Sequence, residues 1–238
     1  MNQKINPHVS VDCVIFGFDE MSLKVLLIDR NAGLAAESQT APKTLKLPGS
    51  LVYDHEDVDT AADRVLKDLT GLENIFLQQF HVFGSPDRLN KIEDLEWLQL
   101  VSKMKINRVV TIAYYSLIKL HKAMPCEGKV VWCDVTDIPE LAFDHKDIVT
   151  KGLQVIRREL HNEPIAFELL PKKFTIRQLQ TLYEIILGTK LDSRNFRKSI
   201  AKWDYLVQVD EKEKNVAHKP AHFYKFDKKL YINSLKDY

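Results

Sequence analysis

The run "KLPGSLVYDHEDVDTAADRVLKDLTGLEN", residues 46–74, constrains the fold of this chain more than any other stretch. An apolar entry passes through a Pro48-Gly49 turn into an acidic loop. Beyond the loop, Val58, Ala62, Val65 and Leu69 recur at spacings of four, three and four. Those spacings set four apolar side chains on one helical face and predict a helix over 58–69. Asp57 is placed to cap its start and Gly71 to stop it. Together with the strands and the further helix read below, this alternation of sheet and helix predicts a layered α/β or α+β domain.

The flanking sequence supplies the strands. "VDCVIFGFD" and "LKVLLIDR" read as a hairpin turning at "EMS" around Glu20, and "IFLQQFHVFG", "RVVTIAYYSLI" and "GKVVWCDV" read as further strands. A helix is predicted over about 145–162. The stretch 162–173, "NEPIAFELLPKK", reads as a domain junction because two prolines and two lysines interrupt the helical patterns. Beyond it, "TIRQLQTLYEIILG" and "LDSRNFRKSIAKW" read as two helices joined by a tight turn, with Phe196, Ile200 and Trp203 facing inward. Two short strands, "YLVQV" and "HFYKF", flank a lysine-rich loop. This order predicts an α/β/α sandwich over 1–165 followed by a winged helix-turn-helix over 166–238.

Charge separates the same two halves. From Pro171 onward 15 lysines and arginines stand against 8 acidic residues, a surplus of +7, while the preceding part carries −6. An acidic body with a basic tail directs a polyanion to the tail alone. Three cysteines without a CxxC pair read as reduced thiols, and no run approaches about 18 apolar residues. A cytoplasmic protein without a membrane span is expected.

With Gly71 and Leu72 as register, residues 46–74 resemble the Nudix hydrolase signature, G-x5-E-x7-R-E-U-x-E-E-x-G-U with U aliphatic. Glu56, Arg64 and Leu66 match it; Ser50 stands on the leading Gly, Val65 on the Glu after Arg, and Asp68 and Leu69 on the Glu pair. The family's carboxylates hold Mg²⁺, which wants hard oxygen ligands. Positions 65 and 69 share a helix face, and neither Val nor Leu can ligate a cation. The resemblance therefore implies a scaffold without catalytic residues, metal or cofactor. A Nudix-like domain ahead of a basic winged helix is similar to the Nudix-related transcriptional regulators, the NrtR family. "SPDR" at 85–88, "LAFDHKDIV" at 141–149, "FTIRQLQTLYEIILG" at 174–188 and "LDSRNFRKSI" at 191–200 also carry the resemblance. It implies a homodimer on double-stranded operator DNA, released by an ADP-ribose-like or pentose effector. Residues 89–107, "LNKIEDLEWLQLVSKMKIN", depart from the short loop of that family and bring the chain nearest the arabinose-responsive AraR branch.

Asp12, Lys46, Asp87, Arg88, Glu96 and Trp97 are the expected effector-binding residues. Asp12 lies on an apolar alternating strand and needs a partner or a ligand. Trp97 offers a flat face to a sugar, or simply packs. His145 reads as a hydrogen-bonding residue at a helix start. On the tail, Arg194, Asn195, Arg197, Lys198 and Lys202 are placed for a recognition helix, with Lys212, Lys214, Lys219 and His222 on the wing. An acidic body has little to offer a diphosphate, so a free sugar, L-arabinose by resemblance, is expected over ADP-ribose. The alternatives are a working Nudix hydrolase of ADP-ribose or a similar diphosphate, or a Nudix-like enzyme whose tail binds RNA.

Overall fold

The structure, a computed structural model, describes residues 4–31, 44–120, 130–160, 163–213 and 219–235. It divides into two compact units, Met1–Val155 and Ile156–Tyr238. The division falls inside a helix, ten residues before the boundary read from the sequence.

In the first unit β1 (Ile5–Phe18) and β2 (Leu23–Asp29) form the expected hairpin. Asp19 turns it by accepting the N–H groups of Met21 and Ser22, and Glu20 takes a φ of 73°. Next come β3 (Leu45–Lys46), β4 (Gly49–Tyr53), α1 (Val58–Thr70), β5 (Gln78–Phe83), α2 (Ile92–Ser102), β6 (Val110–Lys119), β7 (Val130–Asp134) and α3 (His145–Glu159). The seven-stranded sheet runs β3-β2-β1-β6-β5, with β4 paired to β1 and β7 to β2. It is mixed, because β1 runs parallel to β6 from Val9↔Val110 to Phe18↔Lys119 and antiparallel to β2 and β4.

The two faces of β1 carry the two helix layers. Val11, Cys13 and Ile15 point to one face, where they form a core with Ala61, Ala62, Val65 and Leu66 of α1. Phe16 points to the other face, where it meets Gly152 of α3. Helix α1 begins and ends as its sequence dictates: Asp57 accepts the Thr60 N–H at 2.7 Å, and Gly71 closes it with a φ of 75°. Cys13 and Cys133 are free thiols; Cys126 lies outside the described residues. Among the described residues no helix is long and apolar enough to cross a membrane.

The second unit contains β8 (Phe174–Thr175), α4 (Ile176–Leu187), α5 (Ser193–Ile200), β9 (Leu206–Lys212), β10 (His222–Phe226) and α6 (Lys228–Ser234). Its sheet runs β8-β10-β9. A capping box between Thr175 and Gln178 starts α4, and Gly188 in the left-handed region ends it. Leu179, Leu182, Tyr183 and Ile186 of α4 are buried, as are Phe196 and Ile200 of α5. The unit is a winged helix.

Three sequence readings need correction. The junction is not a bare linker: Ile165–Glu168 form a 3-10 turn, and Phe167 is buried with its ring stacked on Phe226 at 4.6 Å. The prolines and lysines flank an apolar "IAFELL" that belongs to the core of the second unit. Helix α5 stops at Ile200, so Lys202 sits in the following turn, while Trp203 stacks on Tyr205 at 5.8 Å. Strand β8 and helix α6 were not foreseen, the first being only two residues long.

Candidate effector cavity and nucleic-acid interface

A cavity of about 440 Å³ opens in the first unit, with Asp12, Arg30, Lys46, Arg88, Trp97 and His145 among its lining residues. At its floor lies Asp12, 4% exposed. Thr111 Oγ1 donates to its carboxylate at 2.7 Å, His145 Nε2 lies 3.4 Å away and Arg88 Nη2 3.7 Å away. Burial works to raise the Asp12 pKa, but His145, Arg88, Thr111 and Lys46 together hold it below the ordinary range. Arg88 also forks onto Asp144, with Nε at 3.1 Å and Nη2 at 2.8 Å. Lys46 Nζ donates to the carbonyls of Leu47 at 3.2 Å and Gly49 at 2.8 Å, and burial lowers its pKa to about 8. Gly49 is required beside this group, because a Cβ there would stand 1.8 Å from Asp12 Oδ1.

His145 starts α3 as the sequence suggested. Its Nδ1 accepts the Leu47 N–H at 2.8 Å, which puts the proton of the neutral ring on Nε2, toward Asp12. Burial depresses its pKa to about 4, with Lys46 and Arg88 adding to the effect against Asp12 and Asp144. The unfolded histidine titrates near 6.5, so between pH 6.5 and 4 the unfolded chain binds a proton that the folded chain refuses. Stability of the first unit is expected to fall as pH drops through that window, approaching about 1.4 kcal/mol per pH unit from this group. Urea unfolding at stepped pH, compared with His145→Gln, should show that slope only in the parent protein.

The structure brings Asp12, Lys46, Arg88 and Trp97 to one cavity and leaves Asp87 and Glu96 outside it. Both of the latter are exposed. Asp87 precedes Arg88 in the 3-10 turn Pro86–Leu89, where adjacent residues point about 120° apart, so the turn that aims Arg88 inward aims Asp87 out. Glu96 precedes Trp97 on α2 with the same consequence. Sequence reading missed Arg30, whose Nη1 meets Asp94 at 2.6 Å, and missed Asp94 itself, 1% exposed. Asp94 and Trp97 are three residues apart on one helix, a spacing that shares a face and could have found it.

The matched positions of the box serve as braces. Arg64 donates to both oxygens of Glu56 at 2.6 and 2.9 Å, Glu56 accepts the Tyr53 N–H at 2.8 Å, and the Arg64 guanidinium lies 4.1 Å from the Tyr53 ring centre. Val65 is fully buried in the core, and Leu69 packs partly buried against it. Asp68 is an acidic side chain of α1 that reaches the cavity. Among the described residues no three His, Cys, Asp or Glu side chains are grouped to hold a metal ion. On the helix face that would offer carboxylates to Mg²⁺ in a Nudix enzyme, two positions are hydrocarbon here and Glu56 is engaged by Arg64, a poor fit for a hard cation.

On the second unit, α5 presents Arg194, Asn195, Arg197 and Lys198 to solvent while Phe196 and Ile200 anchor it. Asp192 caps the helix by accepting the Asn195 N–H at 2.8 Å. Arg194, Arg197, Lys198 and Lys202 make no ion pair with a described carboxylate, unlike Lys173 and Lys190, which are held by Glu211 and Glu184. Lys212 and Lys219 are exposed on the wing, His222 lies 3.2 Å from Gln208 through Nδ1, and Lys214 falls outside the described residues. Asp210, Glu211 and Glu213 accompany these groups, so the wing is not a purely basic surface.

The family model of the NrtR DNA-binding winged helix domain matches residues 166–226. The ADPR responsive transcriptional repressor NtrR of Acinetobacter baylyi is 27% identical over 228 residues, 93% of this chain and 82% of that protein. The crystal structure of Shewanella oneidensis NrtR complexed with a 27mer DNA superposes with a TM-score of 0.69 at 21% identity, covering 93% of this chain and 94% of the other. A MutT/nudix family protein from Enterococcus faecalis superposes with a TM-score of 0.66 at 23% identity, covering 95% and 88%. The chain has the fold of a Nudix-like domain followed by a winged helix, and the winged helix is the part that the NrtR DNA-binding domain model matches.

Proposed function

We propose that the protein is a transcriptional repressor that binds double-stranded operator DNA as a homodimer through α5 and the wing. Its Nudix-like domain acts as a sensor without hydrolytic activity. One observation carries this reading: an NrtR-type winged helix with exposed Arg194, Arg197 and Lys198, free of ion pairs with described carboxylates, follows a Nudix-like domain whose metal-binding helix face is Val65 and Leu69. A two-fold dimer matches the two-fold symmetry of a pseudo-palindromic operator. Gel-shift with a salt titration, run beside a phosphate-release assay on ADP-ribose with Mg²⁺, tests it. Salt-sensitive operator binding with no turnover is expected. Multiple turnover that disappears in Glu56→Gln would sink the sensor reading in favour of a hydrolase.

The effector in this proposal carries a pentose, whose hydroxyls suit the donors and acceptors of Asp12, Lys46 and Arg88 and whose C–H surface suits Trp97. The Acinetobacter relative, named as ADPR responsive, supports ADP-ribose. The second reading is a free pentose, L-arabinose by the resemblance described above. It is favoured by the ion pairs of the cavity: Arg30 is matched by Asp94, and Arg88 by Asp144 and Asp12, which leaves little surplus positive charge for a diphosphate. An effector shifts the DNA equilibrium only through differential affinity, so it is expected to bind more weakly with operator present, by the factor it weakens DNA binding. Calorimetry with ADP-ribose, L-arabinose and other pentoses, with and without operator, decides between them. Heat from none of these ligands removes the pentose-bearing effector.

A further inference from the structure

Helix α2 comes from the segment that departs from the family pattern, and it forms one wall of the cavity through Trp97, Leu98, Val101 and Ser102. Both carboxylate oxygens of its buried Asp94 are engaged. Oδ1 meets Arg30 Nη1 at 2.6 Å, and Oδ2 accepts the Phe143 backbone N–H at 2.6 Å. Arg30 lies just past the end of β2, 64 residues earlier, and Phe143 just before α3, 49 residues later. Phe143 takes a φ of 57°, a conformation costly for a bulky residue and kept only when its surroundings hold it there. Asp94 is that hold.

The two groups so fixed, Arg30 and Phe143, both line the cavity. Trp97 stands edge-on to Phe143 with ring centres 6.0 Å apart, and Phe143 lies 5.2 Å from the His145 ring. The Arg30 guanidinium lies 5.9 Å from the centre of the Trp97 ring, and Lys46 Nζ lies 5.8 Å from it. Arg30 Nε and Trp97 Nε1 are buried donors with no hydrogen-bond partner among the described residues. An arginine beside an indole, with donors still unmatched, recognises an oxygen-bearing ring: the indole covers its C–H face and the guanidinium meets its oxygens.

Resting on the effector reading above, we infer that Arg30 is a specificity-determining contact for the pentose-bearing effector, and that Asp94 acts through it as a positioning residue. Asp94 does not itself touch the ligand. It holds the guanidinium beside Trp97 and keeps Phe143 in its strained conformation, so losing either of its bonds relaxes one side of the cavity.

A double-mutant cycle read by calorimetry tests this, with whichever of L-arabinose and ADP-ribose binds the parent protein. Arg30→Met is expected to weaken binding about tenfold to a hundredfold, the size of a charge-assisted hydrogen bond. Asp94→Asn is expected to weaken it about tenfold, and the double variant no further than Arg30→Met alone. Additive losses would mean that Asp94 acts by general destabilisation and would overturn the inference, as would unchanged affinity in either single variant. Should Asp94→Asn not fold, Arg30→Lys decides. It keeps the charge beside Asp94 and loses the planar fork, so about tenfold weaker binding supports the inference and parental affinity overturns it. Failure of the parent protein to bind either ligand overturns the effector reading and this inference together, whereas normal parental binding with insensitive variants overturns the inference alone.

Discussion

Replacing Arg88 with methionine should destabilise the first unit by about 3 to 5 kcal/mol, the range seen when one partner of a buried ion pair is removed. The Arg88 side chain is 5% exposed and bridges Asp12, 6% exposed, and Asp144, 17% exposed. Methionine fills much of the same volume, so the cost comes from two carboxylates left without their shared cation and not from a void. The variant should also answer to pH in a way that a packing defect would not. Arg88 helps hold the Asp12 pKa down and the His145 pKa down. Without it both groups bind protons more readily in the folded state, and the deficit against the parent protein should shrink as pH falls from 8 toward 5. Urea unfolding followed by tryptophan emission measures this, with Trp97 and Trp132 reporting the first unit and Trp203 the second. A cost below about 1 kcal/mol that does not vary with pH would show that water already solvates the two carboxylates.

What could be read from the sequence was whatever depends on neighbours along the chain. Helix α1 appeared with its cap and its stop because Asp57, the apolar spacing and Gly71 act locally. Asp12 revealed itself as a polar residue on an apolar alternating strand, Arg88 by its place at the end of a strand, and Trp97 as an indole in the segment that departs from the family pattern. The phase of a short turn was harder: Asp87 and Glu96 each sit one residue from a cavity-lining side chain and point the other way. Arg30, Asp94 and Phe143 could not be assembled beforehand, because their contacts join positions 49 to 64 residues apart and exist only once the sheet has formed. Net charge misled for the same reason. The part before Pro171 is acidic in sum, yet the fold gathers Arg30, Lys46 and Arg88 at one cavity with Asp12, Asp94 and Asp144 close to them, and the tail that is basic in sum has a wing of mixed sign.

That mixed sign shapes the expected DNA-binding result. Four cations on and just after α5, Arg194, Arg197, Lys198 and Lys202, are exposed and free of ion pairs with described carboxylates, whereas Lys212 and Lys219 share the wing with Asp210, Glu211 and Glu213. Helix α5 should therefore carry most of the operator affinity. Arg194→Ala or Arg197→Ala, where the side chain pairs with a guanine, should cost about 1 to 3 kcal/mol and relax preference at one base position. Lys198→Ala and Lys202→Ala should weaken operator and unrelated duplex alike, each lowering the log–log salt slope by about 0.9, the value for one neutralised phosphate. Lys202 lies in the turn after the helix and is expected to meet the backbone, not a base edge. Lys212→Ala and Lys219→Ala should each have a smaller effect than Lys198→Ala or Lys202→Ala, because Asp210, Glu211 and Glu213 make the wing less positive as a whole. Gel-shift midpoints for the six variants at three salt concentrations separate these roles. If the wing variants lose more affinity than the α5 variants, or if affinity does not change with salt, α5 is not the element that reads the duplex.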